Sequence, residues 1–145
     1  MPKIYLSPST QEWNPYVTGT GSEEYWMNLL ADELEPYLYA NTIAFVRNTP
    51  EMTAASSIAQ ANQLGGFDFY LALHSNASGE GQAGKNRGII VFYYPTSSEG
   101  RRAAELFAAQ LGQLFDGVDI VERIAVRREA EAARILFLQK CLCVR

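Results

Sequence analysis

Phe69-Tyr70-Leu71-Ala72-Leu73-His74-Ser75-Asn76-Ala77-Ser78 is the stretch on which the reading of this chain turns. An apolar run of strand length stops at His74, the only histidine, and gives way to small polar residues. Histidine is the commonest metal ligand and the one side chain that titrates near neutrality without help. At the end of a buried strand, where an α/β sheet opens into its crevice, it reads as an active-site ligand. It reads equally as a polar residue that closes a core strand and bonds to backbone. The context on either side has to decide.

Upstream, Lys3 to Leu6 reads as a short opening strand closed by Ser7-Pro8-Ser9. A loop rich in Gly, Thr, Asn and Pro follows from Gln11 to Gly21. Ser22 is placed to cap a helix whose first turn carries Glu23 and Glu24, a favourable position for carboxylates at the positive end of the helix dipole. Trp26, Leu30 and Leu34, with Leu29 beside them, mark a predicted buried stripe, and Pro36 is expected to end or bend the helix. Thr42 to Val46 reads as a strand, and Thr53 to Leu64 as a small-residue helix stopped by Gly65-Gly66.

Downstream, a Gly-rich loop from Gly79 to Gly88 leads to a strand from Ile89 to Tyr94. A helix is predicted from Ser97 to Phe115, with Ala103, Leu106, Phe107, Gln110, Leu111 and Leu114 at helical period. The order β-α-β-α-β-β-α predicts a single α/β domain, a mixed but largely parallel sheet flanked by helices. Residues 1–117 form its core, and 118–145 stand apart. There, Val118 to Val126 is strand or loop, Arg127 to Arg134 is helix-like, and Ile135 to Val144 is apolar throughout.

Composition bounds the function. The chain has 145 residues, 48% hydrophobic and 19% charged. That suits one globular domain able to bury about two-thirds of its unfolded surface. A net charge of -4 argues against non-specific nucleic-acid binding. Arg123, Arg127, Arg128 and Arg134 are interleaved with acids and read as a solvated helix face. No apolar run reaches the roughly 18 residues needed to cross a bilayer. The start lacks the basic stretch and apolar core of a Sec-type signal, so the expectation is a protein cytoplasmic until released or exported by another route. Cys141 and Cys143 would share one face of a strand, poorly placed for a disulfide, and read as apolar filler.

If the sheet is parallel, the ends of strands one and three and the start of the first helix converge. They bring together Ser9, Thr10, Gln11 and Glu12, then Glu23 and Glu24, then His74. A hydrolytic zinc site uses three nitrogen or oxygen ligands and an open position for water. One histidine and a first-turn carboxylate supply two; the third must come from the Ser9–Glu12 loop. Against this, first-turn glutamates ordinarily complement the dipole at the surface, and Gln11 and Glu12 in such a loop are ordinarily solvated.

Four segments carry a resemblance in order. They are Ile4-Tyr5-Leu6-Ser7-Pro8-Ser9, Glu24-Tyr25-Trp26-Met27-Asn28-Leu29, Leu73-His74-Ser75-Asn76-Ala77, and Arg87-Gly88-Ile89 through Tyr94. From the N-terminus to about Phe115 the chain resembles the zinc-dependent N-acetylmuramoyl-L-alanine amidases of bacterial cell-wall hydrolases and phage endolysins. The resemblance implies a mixed six-stranded sheet flanked by helices. It also implies Zn2+ as cofactor, peptidoglycan as partner, and hydrolysis of the amide between N-acetylmuramic acid and the L-alanine of the stem peptide at the cell wall. Glu24 and His74 then stand as two zinc ligands.

Two departures accompany it. The family's opening histidine ligand is replaced by Ser9-Thr10-Gln11. Gln11 offers a neutral amide oxygen; Thr10 aligns more directly but is a poor ligand. A sister group with Ser-Pro-Ser openings does without that histidine. The family also ends on a buried strand bearing a catalytic glutamate, whereas Ile135 to Val144 holds no carboxylate. Glu122, Glu129 and Glu131 are the late carboxylates, none in a matching motif. The expectation is a chain truncated or frame-altered after about Gly117. The assigned metal set is His74, Glu24 and Gln11, with no catalytic base identified. The function is a zinc-dependent amidase impaired by the missing glutamate, or alternatively an inactive peptidoglycan-binding domain of the same fold.

Overall fold

A computed structural model of the chain describes residues 1–16, 20–76, 88–114, 118–122 and 135–141. Its strands are β1 (Lys3–Pro8), β2 (Ala44–Arg47), β3 (Phe69–Asn76), β4 (Gly88–Tyr93), β5 (Val118–Glu122) and β6 (Ile135–Cys141). Its helices are α1 (Glu23–Ala40), α2 (Ala54–Leu64) and α3 (Ser98–Leu111). The sheet runs β2-β1-β3-β6-β4-β5. All neighbours are parallel except β4 and β6, which pair antiparallel. The expected α/β class and mixed, largely parallel sheet are what forms.

Strand alternation sorts the core into two layers. Leu6, Leu71, Leu73, Ile89, Val91 and Tyr93 pack with Met27, Ala31 and Leu38 of α1 and Ala104 of α3. Tyr5, Tyr70 and Ala72 pack on the other side with Ala61 of α2. Tyr5 and Tyr70 stack across β1 and β3 at 5.1 Å, which covers the small α2 face with large rings. The two helices that follow β1 and β2 lie on opposite faces because the chain steps outward to β2 and then returns past β1 to β3. Right-handed crossovers in opposite directions put their helices on opposite sides.

That return also sets the site. The chain leaves β1 toward β2 and leaves β3 toward β4, so the connections of these adjacent strands diverge beyond their carboxyl ends. Such a divergence opens a crevice between loops, the place where open α/β sheets bind ligands.

Several local expectations are corrected. Pro36 lies inside α1, which continues to Ala40. A lone proline removes one hydrogen bond, and the packing of Leu38 on the core outweighs that loss. The buried line of α1 is Glu23, Met27, Ala31 and Leu38; of the expected Trp26–Leu30–Leu34 stripe, Leu34 packs against this core. Trp26 and Leu30 are 39% and 50% exposed and line an apolar groove beside α3. Periodicity found the helix and Leu34 but chose Trp26 and Leu30, each one residue before the buried Met27 and Ala31, because a glutamate occupied a core position. α3 stops at Leu111, and Leu106 and Leu114 are exposed while Phe107 and Leu111 meet the core.

The predicted stop of α2 is present, Gly65 at φ 59 closing the helix; its start is one residue later than expected, with Thr53 as the cap in a reciprocal capping box with Ser56. Of the segment set apart by sequence, β5 extends the edge beside β4 and β6 enters the middle of the sheet between β3 and β4. The basic residues Arg123, Arg127, Arg128 and Arg134, the carboxylates Glu129 and Glu131, Cys143, and the Gly79–Arg87 loop lie outside the described residues.

Candidate active site

The site begins with a loop that folds back on itself. Ser22 caps α1 by accepting from the Tyr25 amide, and a bridge between Pro15 and Ser22 closes the preceding loop. The Tyr16 amide donates to the Gly21 carbonyl at 3.1 Å, and the Glu23 amide to the Asn14 carbonyl at 2.9 Å. Gly21 sits at φ +99, and a Cβ there would meet the Tyr25 ring at 2.7 Å, so the turn requires glycine. These contacts aim the first turn of α1 at the ends of β1 and β3.

On the sheet side, the Ser9 amide donates to the Leu73 carbonyl at 2.9 Å, extending the β1–β3 ladder to its last residues. His74 follows, with 20% of its side chain exposed. Its Nδ1 lies 2.9 Å from Oε1 of Glu23, whose side chain is only 2% exposed. The same Oε1 accepts from the Ser75 amide at 3.2 Å, and Oε2 accepts from the Asn14 side-chain amide at 2.7 Å.

Burial alone would oppose ionisation of Glu23. The hydrogen bonds from His74 and Asn14, the charge of His74 and hydrogen bonding to Ser9 outweigh it and hold the carboxyl below the usual carboxylate range. An ionised carboxylate only accepts, so His74 Nδ1 carries the hydrogen, and in the neutral ring the lone pair is on Nε2.

Glu24, one residue on, is half-buried and turned elsewhere. It lines a cleft of about 900 Å³ together with Thr10, Gln11, Glu12, Trp13, the start of α2 and His74. Two hydrogen bonds brace its turn of helix: the Asn28 side chain donates to the Glu24 carbonyl at 2.9 Å and to the Ser9 carbonyl at 3.3 Å. Arg47 of β2 holds Asn28 from behind and is paired with Asp32 and Glu35. The fold thus brings His74, Glu24 and Gln11 to the wall of one cleft.

Around this cleft the chain superposes on solved structures over nearly its whole length. N-acetylmuramoyl-L-alanine amidase AmiC2 of Nostoc punctiforme matches 99% of this chain and 82% of its own, with a TM-score of 0.76 at 14% identity. The fold is that of the N-acetylmuramoyl-L-alanine amidases. The amidase of Clostridium difficile 630 covers 94% of this chain and 77% of its own, at TM-score 0.76 and 16% identity. The catalytic domain of CwlV from Bacillus (Paenibacillus) polymyxa covers 96% and 79%, at 0.74 and 13%. No protein-family model matches the chain, and no curated protein is similar to it in sequence.

Within the amidase fold, the cleft offers an imidazole and a carboxylate, donor types that zinc accepts, and the neutral, weaker amide oxygen of Gln11. Among the described residues, no three His, Cys, Asp or Glu side chains gather to hold a metal ion. Sequence reasoning did not separate Glu23 from Glu24 by burial and passed over Asn14. The available signal was helical register: Glu23 is four residues before Met27 and eight before Ala31, on the line that meets the sheet.

Proposed function

We propose that the protein is a zinc-dependent N-acetylmuramoyl-L-alanine amidase that acts on peptidoglycan. The observation that carries the reading is the partly exposed His74 at the carboxyl end of β3. It is backed by a buried carboxylate and shares a cleft with Glu24 and Gln11, on the amidase fold. His74, Glu24 and Gln11 would hold the ion. Zinc bound there would supply a polarised carbonyl and a water of lowered pKa. Trp13, 72% exposed on the cleft wall, offers an apolar platform for the muropeptide. The protein would meet its substrate at the bacterial wall after release or export.

The test is digestion of purified cell wall with and without a chelator, alongside the zinc content of the protein. Near-stoichiometric zinc is expected, lost in His74→Ala and Glu24→Ala and weakened in Gln11→Ala. Protein that takes up no zinc from excess would sink the metal reading.

A second reading, a peptidoglycan-binding domain without turnover, has its own support. The β6 residue level with His74 in the ladder is Gln139, flanked by Leu138 and Lys140. An amide takes no proton, so this register position supplies no general base, a loss that costs about 10²–10⁴ in rate. Wall binding without release of stem peptides would favour this reading. Gain of hydrolysis in Gln139→Glu would then identify the missing group.

A further inference from the structure

We propose that Glu23 is the positioning residue of the site, holding His74 in the Nδ1–H tautomer and one ring orientation while Glu24 is left to the cleft. The consequence for metal rests on the zinc reading above; the tautomer rests on geometry alone.

The Ser75 amide can only donate, so Oε1 of Glu23, 3.2 Å away, is an accepting oxygen. Oε2 accepts from the Asn14 side-chain amide at 2.7 Å, so both oxygens accept, as in a carboxylate, and in this pattern His74 Nδ1, 2.9 Å from Oε1, brings the hydrogen. The lone pair then falls on Nε2. A ring so held keeps one tautomer and orientation and becomes a more basic ligand, the usual effect of a carboxylate behind a metal-binding histidine.

Glu23 is poorly suited to be a ligand itself. Its side chain is 2% exposed, and its two oxygens already accept from His74, Ser75 and Asn14. A buried carboxylate is costly unless satisfied in this way, and withdrawing it toward an ion would strand the Asn14 and Ser75 donors. Helix geometry makes the division of labour automatic. Adjacent residues differ by about 100° around the axis, so with Glu23 on the line of Met27 and Ala31, Glu24 cannot face the sheet.

Because His74 is the only histidine, protein labelled with 15N-histidine shows a single pair of ring-nitrogen resonances. In mildly alkaline, metal-free buffer, the wild type is expected to show the Nδ1–H tautomer. Glu23→Ala should move the population toward Nε2–H and lower zinc affinity by about 10–100-fold, measured by competition with a chromogenic chelator. Glu23→Gln keeps an oxygen for the Ser75 amide, so it should restore the wild-type tautomer that Glu23→Ala loses. Asn14→Ala, which removes only the donor to Oε2, should shift affinity the same way but less.

A wild-type Nε2–H tautomer, or Glu23→Ala with tautomer and zinc affinity unchanged, overturns the proposal. If Glu23→Ala does not fold, Glu23→Gln and Asn14→Ala decide by the same signals. The expected tautomer in a wild type that binds no zinc would instead overturn the metal reading and leave the positioning role standing.

Discussion

Two buried polar clusters lie at the ends of β1 and β3, and they differ in what closes them. In one, Asn48 donates to Ser7 Oγ, the Pro8 carbonyl and Ser57 Oγ, while Tyr70 donates to Ser7 Oγ at 2.9 Å. Ser7, Asn48, Ser57 and Tyr70 are each no more than 5% exposed, and all are neutral. In the other, Glu23 gathers Asn14, Ser75 and His74, and His74 reaches the cleft. The enclosed cluster ties β1 to the loop after β2 and to α2. The open one carries a charge inward and ends on a titratable ring at the wall of a cavity. Burial of polar groups is common to both; only the exit marks a site.

The largest effect should come from breaking the open cluster at its exit. His74→Ala is expected to abolish zinc binding and, because it deprives the buried Glu23 carboxylate of a hydrogen bond, to cost about 1–3 kcal/mol of stability as well. Zinc affinity unchanged in His74→Ala would show that the histidine is only structural.

Asn48→Ala should cost stability alone. It removes the donor to three acceptors in a buried position, at a cost of about 1–3 kcal/mol by denaturant unfolding, with zinc affinity unchanged. Altered zinc binding there would join the clusters into one unit.

The clusters should also fail at opposite ends of the pH scale. Burial pushes the Tyr70 hydroxyl up to about 12, against a smaller opposing hydrogen bond with Ser7. Its folded pKa is above the unfolded value of 10.0, so its neutral form is favoured in the fold. Stability is full below about pH 10 and is lost as pH rises through about 12. Tyr70→Phe should flatten this alkaline limb and cost about 1 kcal/mol at neutral pH.

Glu23 works in the other direction. Its folded pKa is held below the ordinary 4.5, so its contribution is present above that value and lost as pH falls through the lowered pKa. The smallest effect follows: Glu23→Gln should make the acid limb of an unfolding titration shallower. A steeper acid limb would contradict the assignment of an ionised, satisfied carboxylate.

Much of this arrangement was legible in order along the chain. Ser22 as a cap, Gly65 as a stop, the strand into His74 and the alternation of strands and helices are local signals, and they appear where the spacing puts them. His74, Glu24 and Gln11 line one cleft because residues at strand ends and helix starts meet in a parallel sheet; it was the resemblance, not the spacing, that singled out Glu24. What failed was rotation about α1. Trp26, Leu29 and Leu30 are as apolar as Met27 and Ala31, and hydropathy cannot rank a line that contains a glutamate above one that does not.

The sequence by itself determined the element order, the helix starts and the place of the single histidine, because caps and apolar period act over a few residues. Tertiary structure alone decided that β6 is inserted between β3 and β4 and that Gln139 lies level with His74. It also decided which of two adjacent glutamates is buried. Those outcomes depend on contacts between residues as far apart as Glu23 and His74, and no local propensity encodes which side of a helix another strand's histidine will meet.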